Sequence, residues 1–200
     1  MSVMPDSFYT RNNVTQIARQ LLGKKLVTNV LGNRSSGIIV ETEAYSFRER
    51  GCHAYNNRMT NRNKVMFEAG GIAYVYLCYG IHNLFNVVTN KSGVADAVLV
   101  RALEPCEGEE NMLHRMKTKS IKRITSGPGK LTKALGIDRK FDGMYLNSTE
   151  IWIEEGFKIP SKKIVSSTRI GIDYAGEDAL LPWRFFVKDN IWVSKSIFNL

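Results

Sequence analysis

The segment Gly37-Ile38-Ile39-Val40-Glu41-Thr42-Glu43-Ala44-Tyr45 constrains the fold of this chain more than any other. In an extended strand successive side chains point to opposite faces. Ile38, Val40, Thr42 and Ala44 are therefore expected on one side, and Ile39, Glu41, Glu43 and Tyr45 on the other. The run is apolar enough to lie inside a sheet, yet it carries two carboxylates, which are costly to bury without a role. A desolvated glutamate has a raised pKa and can accept a proton near neutrality. An edge strand with both glutamates in water satisfies the same pattern, so the choice falls to the rest of the chain.

The flanking sequence supplies a largely antiparallel setting. Val14, Ile17, Ala18, Leu21 and Leu22 fall at helical spacing, with Asn12 or Asn13 as cap and Gly23 as stop. Lys25 to Val30 and Gly37 to Tyr45 form a hairpin around Leu31-Gly32-Asn33-Arg34, followed by a long polar loop from Arg48 to Glu68 that ends on Met66 and Phe67. Three further β-runs, Ala73 to Tyr79, Asn83 to Thr89 and Ala97 to Leu103, are punctuated by Gly70-Gly71, Tyr79-Gly80 and Lys91-Ser92-Gly93. Gly108 to Lys117 is expected to be helical. Ser126-Gly127-Pro128-Gly129 leads into a short helix at Lys130 to Leu135, whose free first amides, with Lys130 and Lys133, suit a phosphate. The GxxxxGK[ST] phosphate loop is absent. Short strands are expected around Ile151-Trp152-Ile153 and from Trp183 to Val187. With no repeat or linker, 200 residues make one α+β domain spanning 1–200.

Charge and cysteine usage narrow the function classes. The net charge is +9, and nearly all of it arises between Arg115 and Lys140, where nine basic residues face Asp138 alone. A polyanion is the economical partner, with nucleic acid first; a merely soluble basic face is the alternative. That window lacks the apolar stripe of a membrane-surface helix. No run of 18 apolar residues occurs, and Met1 to Thr10 has no apolar signal core, so a soluble cytoplasmic protein is expected, nucleoid-associated or nuclear according to its host. Cys52, Cys78 and Cys106 lack CxxC spacing and cannot form a four-cysteine cluster. Cys78 and His82 flank a turn, and neither a metal nor a cofactor is expected.

Ala73-Tyr74-Val75-Tyr76-Leu77-Cys78-Tyr79-Gly80 puts Tyr74, Tyr76 and Cys78 on one face and Val75 and Leu77 on the other, with Tyr79 at the turn. An aromatic tip of this kind can wedge between base pairs; a hydrophobic hairpin packed on the sheet is the plainer alternative.

Taken in order, Val40-Glu41-Thr42-Glu43-Ala44-Tyr45, His53, Arg62-Asn63 with Met66-Phe67, Tyr74-Val75-Tyr76-Leu77-Cys78-Tyr79-Gly80, Asn86, Val98 to Pro105 and Gly127-Pro128-Gly129-Lys130-Leu131 resemble the alkyladenine (mammalian-type 3-methyladenine) DNA glycosylase family, from Ala18 to Val187. The resemblance implies a curved antiparallel sheet with surrounding helices and a protruding hairpin. It makes Glu43 the general base, with Arg101 near the catalytic water. Tyr45 and Tyr76 would stack on a flipped base, with His53 and Asn86 lining its pocket. Tyr79 would intercalate, and Met66 and Lys130 would lie on the DNA side. Glu41 is expected nearer the sheet edge in a structural or hydrogen-bonding role; Ile81-His82 stands where the family varies, and a minor-groove contact is one option for His82.

These expectations describe a monomeric, monofunctional enzyme acting on double-stranded DNA that contains damaged purines. An N-alkylated purine is cationic and already a good leaving group, so two tyrosine faces and one water-activating carboxylate suffice. No catalytic lysine stands in these blocks. A non-catalytic nucleic-acid-binding module on the same fold explains the charge but not Glu43, Tyr45 and Tyr76 together. A hydrolase of free nucleosides would need neither the basic window nor a projecting Tyr79.

Overall fold

The computed structural model describes residues 2–194. Its spine is β2 (Asn33–Ser46), the strand expected around Gly37–Tyr45 but longer. β1 (Lys25–Val30) joins it through Leu31-Gly32, which carry φ of 52° and 79°, and Val30 pairs directly with Asn33. The turn is thus tighter than the Leu31–Arg34 span expected, because two left-handed residues match the twist of a hairpin.

Along its other edge β2 pairs with β5 (Asp96–Glu107) for most of its length. Past the end of β1 the near edge is taken by β8 (Arg184–Val187), which pairs with Glu41–Glu43. Both glutamates therefore sit in a strand with neighbours on each side, and the edge-strand alternative falls. β3 (Ala73–Cys78) and β4 (His82–Thr89) extend the sheet beyond β5. β6 (Ile151–Glu154) extends it beyond β1, and β7 (Ile164–Ser167) pairs with β8. All eight strands are antiparallel to their neighbours, as the α+β expectation required. β7 was not foreseen: Ile164-Val165-Ser166-Ser167 is short and half-buried, paired with β8 alone in the sheet and tied to α2 by Arg19 Nη1, which donates to Ser166 Oγ at 2.8 Å.

One irregularity at the centre of β2 changes the face assignment. Pairing steps from Ile39↔Leu103 to Glu41↔Ala102 and then to Thr42↔Val100, leaving Val40 and Arg101 without partners. Each extra residue shifts the alternation by one. Ile39 consequently joins Ala44, Val98, Val100 and Leu103 in the main core, on the face opposite the glutamates, rather than beside them as strict alternation requires.

The helices cover that core face. α1 (Asp6–Tyr9) is a single turn that the periodicity did not reveal. α2 (Val14–Leu21) starts where Asn13 Oδ1 accepts the Gln16 amide at 2.9 Å. α3 (Glu109–Met116) and α4 (Pro128–Leu135) follow β5, α4 beginning two residues before the expected Lys130. Ile17, Ala18 and Leu21 of α2, Met112 of α3 and Leu131, Ala134 and Leu135 of α4 are fully buried in the same core. Each large apolar side chain so placed contributes about 1.5–3 kcal/mol. Thr42, between the glutamates in sequence, points to this side and donates its hydroxyl to the Ala18 carbonyl at 2.9 Å.

The opposite face is covered by the long polar segment, which builds a second cluster from Cys52, Ala54, Met66, Phe67, Tyr74, Val88 and Ala97. Among the described residues no helix is long and apolar enough to cross a membrane.

Candidate active site

Glu41 and Glu43 leave the same face of β2, and Arg101 lies between them. Its Nε donates to Glu41 Oε1 at 3.1 Å and its Nη1 to Glu43 Oε2 at 3.2 Å. The β5 bulge that leaves Arg101 unpaired in the ladder aims it at both carboxylates. Burial works against the arginine's charge, but Glu43 and then Glu41 outweigh it and raise its pKa. Glu41 is completely buried and accepts from Arg184 Nε (2.7 Å), Ser194 Oγ (2.8 Å) and Ser194 N (2.7 Å) besides Arg101. The structure therefore corrects its expected position: Glu41 is at the centre of the sheet, not near its edge. Its expected role as a hydrogen-bonding anchor agrees with these partners.

Glu43 is equally buried but differently held. Oε2 accepts from the Tyr45 hydroxyl at 2.8 Å and from Arg101, while Oε1, among the described residues, accepts only the Ile170 amide at 2.8 Å. Burial, then the Glu43 charge, raises the Tyr45 phenol well above its ordinary pKa and keeps it a donor.

In front of this carboxylate opens a cavity of about 680 Å³. Tyr45, His53, Met66, Tyr76, Tyr79, Asn86, Arg101 and Lys130 line it, so every sequence-derived site residue except Glu43 meets the cavity directly. Glu43 stands one layer behind, hydrogen-bonded to the cavity-lining Tyr45, Arg101 and Ile170. The volume is within the range of pockets that take a drug-sized or nucleobase-sized group.

One wall is aromatic. His53 Nδ1 is 2.9 Å from the Tyr74 hydroxyl, and its ring packs edge-on against Tyr76 with centroids 4.5 Å apart. The residue is exposed on its cavity side, but desolvation of the ring by its neighbours, with the Arg62 charge second, lowers the His53 pKa to about 4, so the imidazole is neutral near pH 7. Asn63, beside Arg62, holds the loop in place by donating to the His53 and Arg58 carbonyls at 2.8 and 3.0 Å. Asn86 is buried on β4 and donates to the Tyr74 carbonyl at 3.1 Å. Met66 is buried in the second cluster beneath the cavity and presents only its inner surface to it.

The rim carries the features suited to a polyanion. Tyr79 occupies the β3–β4 turn with φ 49° and is 88% exposed. Gly127, Pro128, Gly129 and Lys130 bring the start of α4 to the same mouth, and His82 also lines it. A Cβ on Gly129 would sit 2.8 Å from His82 Cγ, so the close seating of helix against hairpin requires glycine there. The basic window is not uniformly a DNA face. Arg115 is partly buried and donates to Ser35 Oγ (2.9 Å) and the Ala134 carbonyl (3.0 Å), and Arg123 donates to the Val193 carbonyl at 2.8 Å. Lys117, Lys119, Lys122, Lys130, Lys133, Arg139 and Lys140 remain exposed.

Several residues of the site had no signal in the sequence. Tyr74 was placed on the correct face but without a contact, and Tyr174, exposed at the rim, was not singled out. Arg169 and Ile170 reach Glu49, Tyr45 and Glu43 from 120 or more positions away. No periodicity or spacing links them to β2.

The residues therefore converge on a buried carboxylate behind an aromatic cavity with a basic rim. A family model for methylpurine-DNA glycosylase (MPG) matches residues 7–191. A protein of Methanocella arvoryzae named "Putative 3-methyladenine DNA glycosylase" is 50% identical over 198 residues, covering 98% of this chain and 97% of that protein. Proteins with the same name from Chlamydia abortus and Bacillus cereus are each 46% identical, covering 92% and 96% of this chain and 98% of their own lengths. This chain belongs to the methylpurine-DNA glycosylase family. It is a DNA glycosylase, a hydrolase of DNA repair.

Proposed function

We propose that this enzyme rotates alkylated or deaminated purines of the 3-methyladenine, 7-methylguanine and hypoxanthine type out of duplex DNA and hydrolyses the N-glycosidic bond, leaving an abasic site. The observation that carries this is the Glu43 carboxylate, held by Tyr45, Arg101 and the Ile170 amide immediately behind the aromatic cavity. A flipped purine would lie between the tyrosine faces, with Asn86 and neutral His53 at its edges. Tyr79 would fill the gap left in the duplex, and Lys130 at the start of α4 would hold a phosphate.

Glu43 Oε1 accepts one hydrogen bond and keeps a lone pair for water. As the bond between the sugar C1′ and the purine nitrogen breaks, its electron pair leaves with the base. The water oxygen bonds to C1′ and its proton passes to Glu43. The carboxylate's charge also favours the oxocarbenium-like sugar. Lys130 is the one lysine lining the cavity among the described residues, and it is exposed at the rim rather than desolvated near Glu43. The chemistry is accordingly simple hydrolysis, without an imine to the enzyme.

Single-turnover excision on duplexes bearing each lesion tests this. Glu43→Gln is expected to lower the rate by about a hundredfold or more while lesion-duplex binding persists. Turnover equal to the wild type would exclude Glu43 as the base. A catalytically silent DNA-binding module would show binding with no excision by the wild type.

A further inference from the structure

We infer that Arg169 and Glu49 form a charge-compensated backing that pins Tyr45 from behind without penalising cationic purines on its front face, Glu49 cancelling the repulsion that the arginine alone would exert; this rests on the stacking role proposed for Tyr45. Neither residue lines the cavity. The guanidinium carbon of Arg169 lies 4.8 Å from the centroid of the Tyr45 ring and 5.3 Å from that of Trp183. Tyr45 lines the cavity and Arg169 does not, so the guanidinium covers the ring face turned away from the substrate.

Its orientation is fixed by four hydrogen bonds. Nη1 donates to Glu49 Oε1 at 2.7 Å and to the Ala44 carbonyl at 3.0 Å. Nη2 donates to Glu49 Oε2 at 2.8 Å and to the Asp178 carbonyl at 3.0 Å. Such a two-pronged pair combines strength with a single geometry, which lysine cannot reproduce. The Arg169 side chain is fully buried and that of Glu49 nearly so, which preserves the interaction from screening by salt.

The electrostatic consequence follows from the position of the pair. A cationic purine is drawn to the tyrosine face by the ring quadrupole, and a neutral purine is not. An uncompensated guanidinium on the rear face would stand roughly 8 Å from a base stacked on the front. At an effective dielectric near 20 its repulsion would disfavour a cationic base by about tenfold or more. The Glu49 carboxylate, bonded to both terminal guanidinium nitrogens, cancels most of that field. The arginine thereby pins the platform without repelling the charged substrate. Ile170, the next residue, donates its amide to Glu43, so Arg169 also anchors the segment that positions the base. For that reason Glu49 is the cleaner probe.

The test compares single-turnover kcat/KM on a duplex with 7-methylguanine, which is cationic, and one with hypoxanthine, which is neutral. In Glu49→Gln the cationic-to-neutral ratio is expected to fall about tenfold, because arginine stays charged. In Glu49→Gln/Arg169→Gln, which leaves no unpaired buried charge, the ratio should return to within about twofold of the wild type while KM rises for both lesions. An unmoved ratio in folded Glu49→Gln, or an equal fall in the double variant, overturns the inference. Should circular dichroism show that Glu49→Gln does not fold, the double variant decides, and a ratio displaced beyond about threefold excludes compensation. Tyr45→Ala in the same assay separates the two levels. Undiminished excision there removes the stacking role itself, whereas Tyr45-dependent excision with a ratio indifferent to Glu49→Gln removes only the backing.

Discussion

Glu41 and Glu43 are two positions apart on one strand, and what surrounds each carboxylate divides their roles. Glu41 is saturated by Arg101, Arg184 and Ser194. Glu41→Ala leaves the buried Arg184 without its carboxylate and Arg101 with Glu43 alone, and is expected to cost about 3–5 kcal/mol of stability, measured by urea unfolding. A loss below about 1 kcal/mol would mean that solvent or rearrangement replaces the carboxylate. His53 makes a second residue-scale prediction. Its pKa is lowered from 6.5 to about 4 by desolvation against its aromatic neighbours and by Arg62, although the residue is exposed on its cavity side. Between those values the unfolded chain binds a proton that the fold refuses, so this contribution is intact above pH 6.5 and is lost as pH falls toward 4. The ring keeps access to solvent through the cavity, so the effect on stability is small and the NMR titration of His53 is the better measure. Its ring resonances should not shift between pH 8 and about 5.5, and a midpoint near 6.5 would contradict the packing against Tyr74 and Tyr76. The nature of these residues was legible in the sequence because paired glutamates and clustered tyrosines are unusual on an interior strand. Their partners were not: Arg184 lies on a strand that could be foreseen, but nothing local pairs that strand with β2, and Arg169 is brought to β2 by a segment with no local signature.

At the scale of elements, the β3–β4 hairpin and α4 act as a unit. Gly129 lies against His82, and Thr132 Oγ1 donates to the Asn83 carbonyl at 2.7 Å. Gly129→Ala forces the two apart and is expected to destabilise the enzyme by about 1–3 kcal/mol. It should also weaken lesion-duplex binding, since the helix start and the hairpin tip share one rim. Thermal unfolding and a fluorescence titration on the same preparation check both effects, and unchanged values would show that the rim tolerates separation. Tyr79 holds a left-handed backbone at φ 49°, a conformation costing a non-glycine residue about 1 kcal/mol. Tyr79→Gly should therefore keep or raise the Tm while reducing affinity for a lesion duplex by about tenfold. A matched loss of Tm and affinity would assign the ring to packing instead. The hairpin, its tip and the helix entered through Gly127-Pro128-Gly129 could all be read from turn residues and alternation. Their contact could not, because β5 and α3 separate them in sequence.

The whole molecule places a net charge of +9 on an enzyme of DNA repair, but the structure divides that charge into two kinds. Lys130 is exposed at the cavity mouth, whereas Arg115 is spent on tying β2 to α3 and α4 through Ser35 and Ala134. Lys130→Ala should weaken DNA binding and reduce the slope of log K against log salt by about one. Arg115→Ala should leave that slope unchanged and lower the Tm. The opposite assignment would place the DNA path across α3. Residue types, strand alternation, turns and the position of the basic window were determined by the sequence, since each depends on neighbours within a few positions. The bulge that turns Ile39 away from the glutamates, the burial of Glu41 at the sheet centre and the Glu49–Arg169 backing of Tyr45 were decided only in three dimensions. Each depends on which distant strand supplies the facing atoms, and local chain preferences carry no record of that partner.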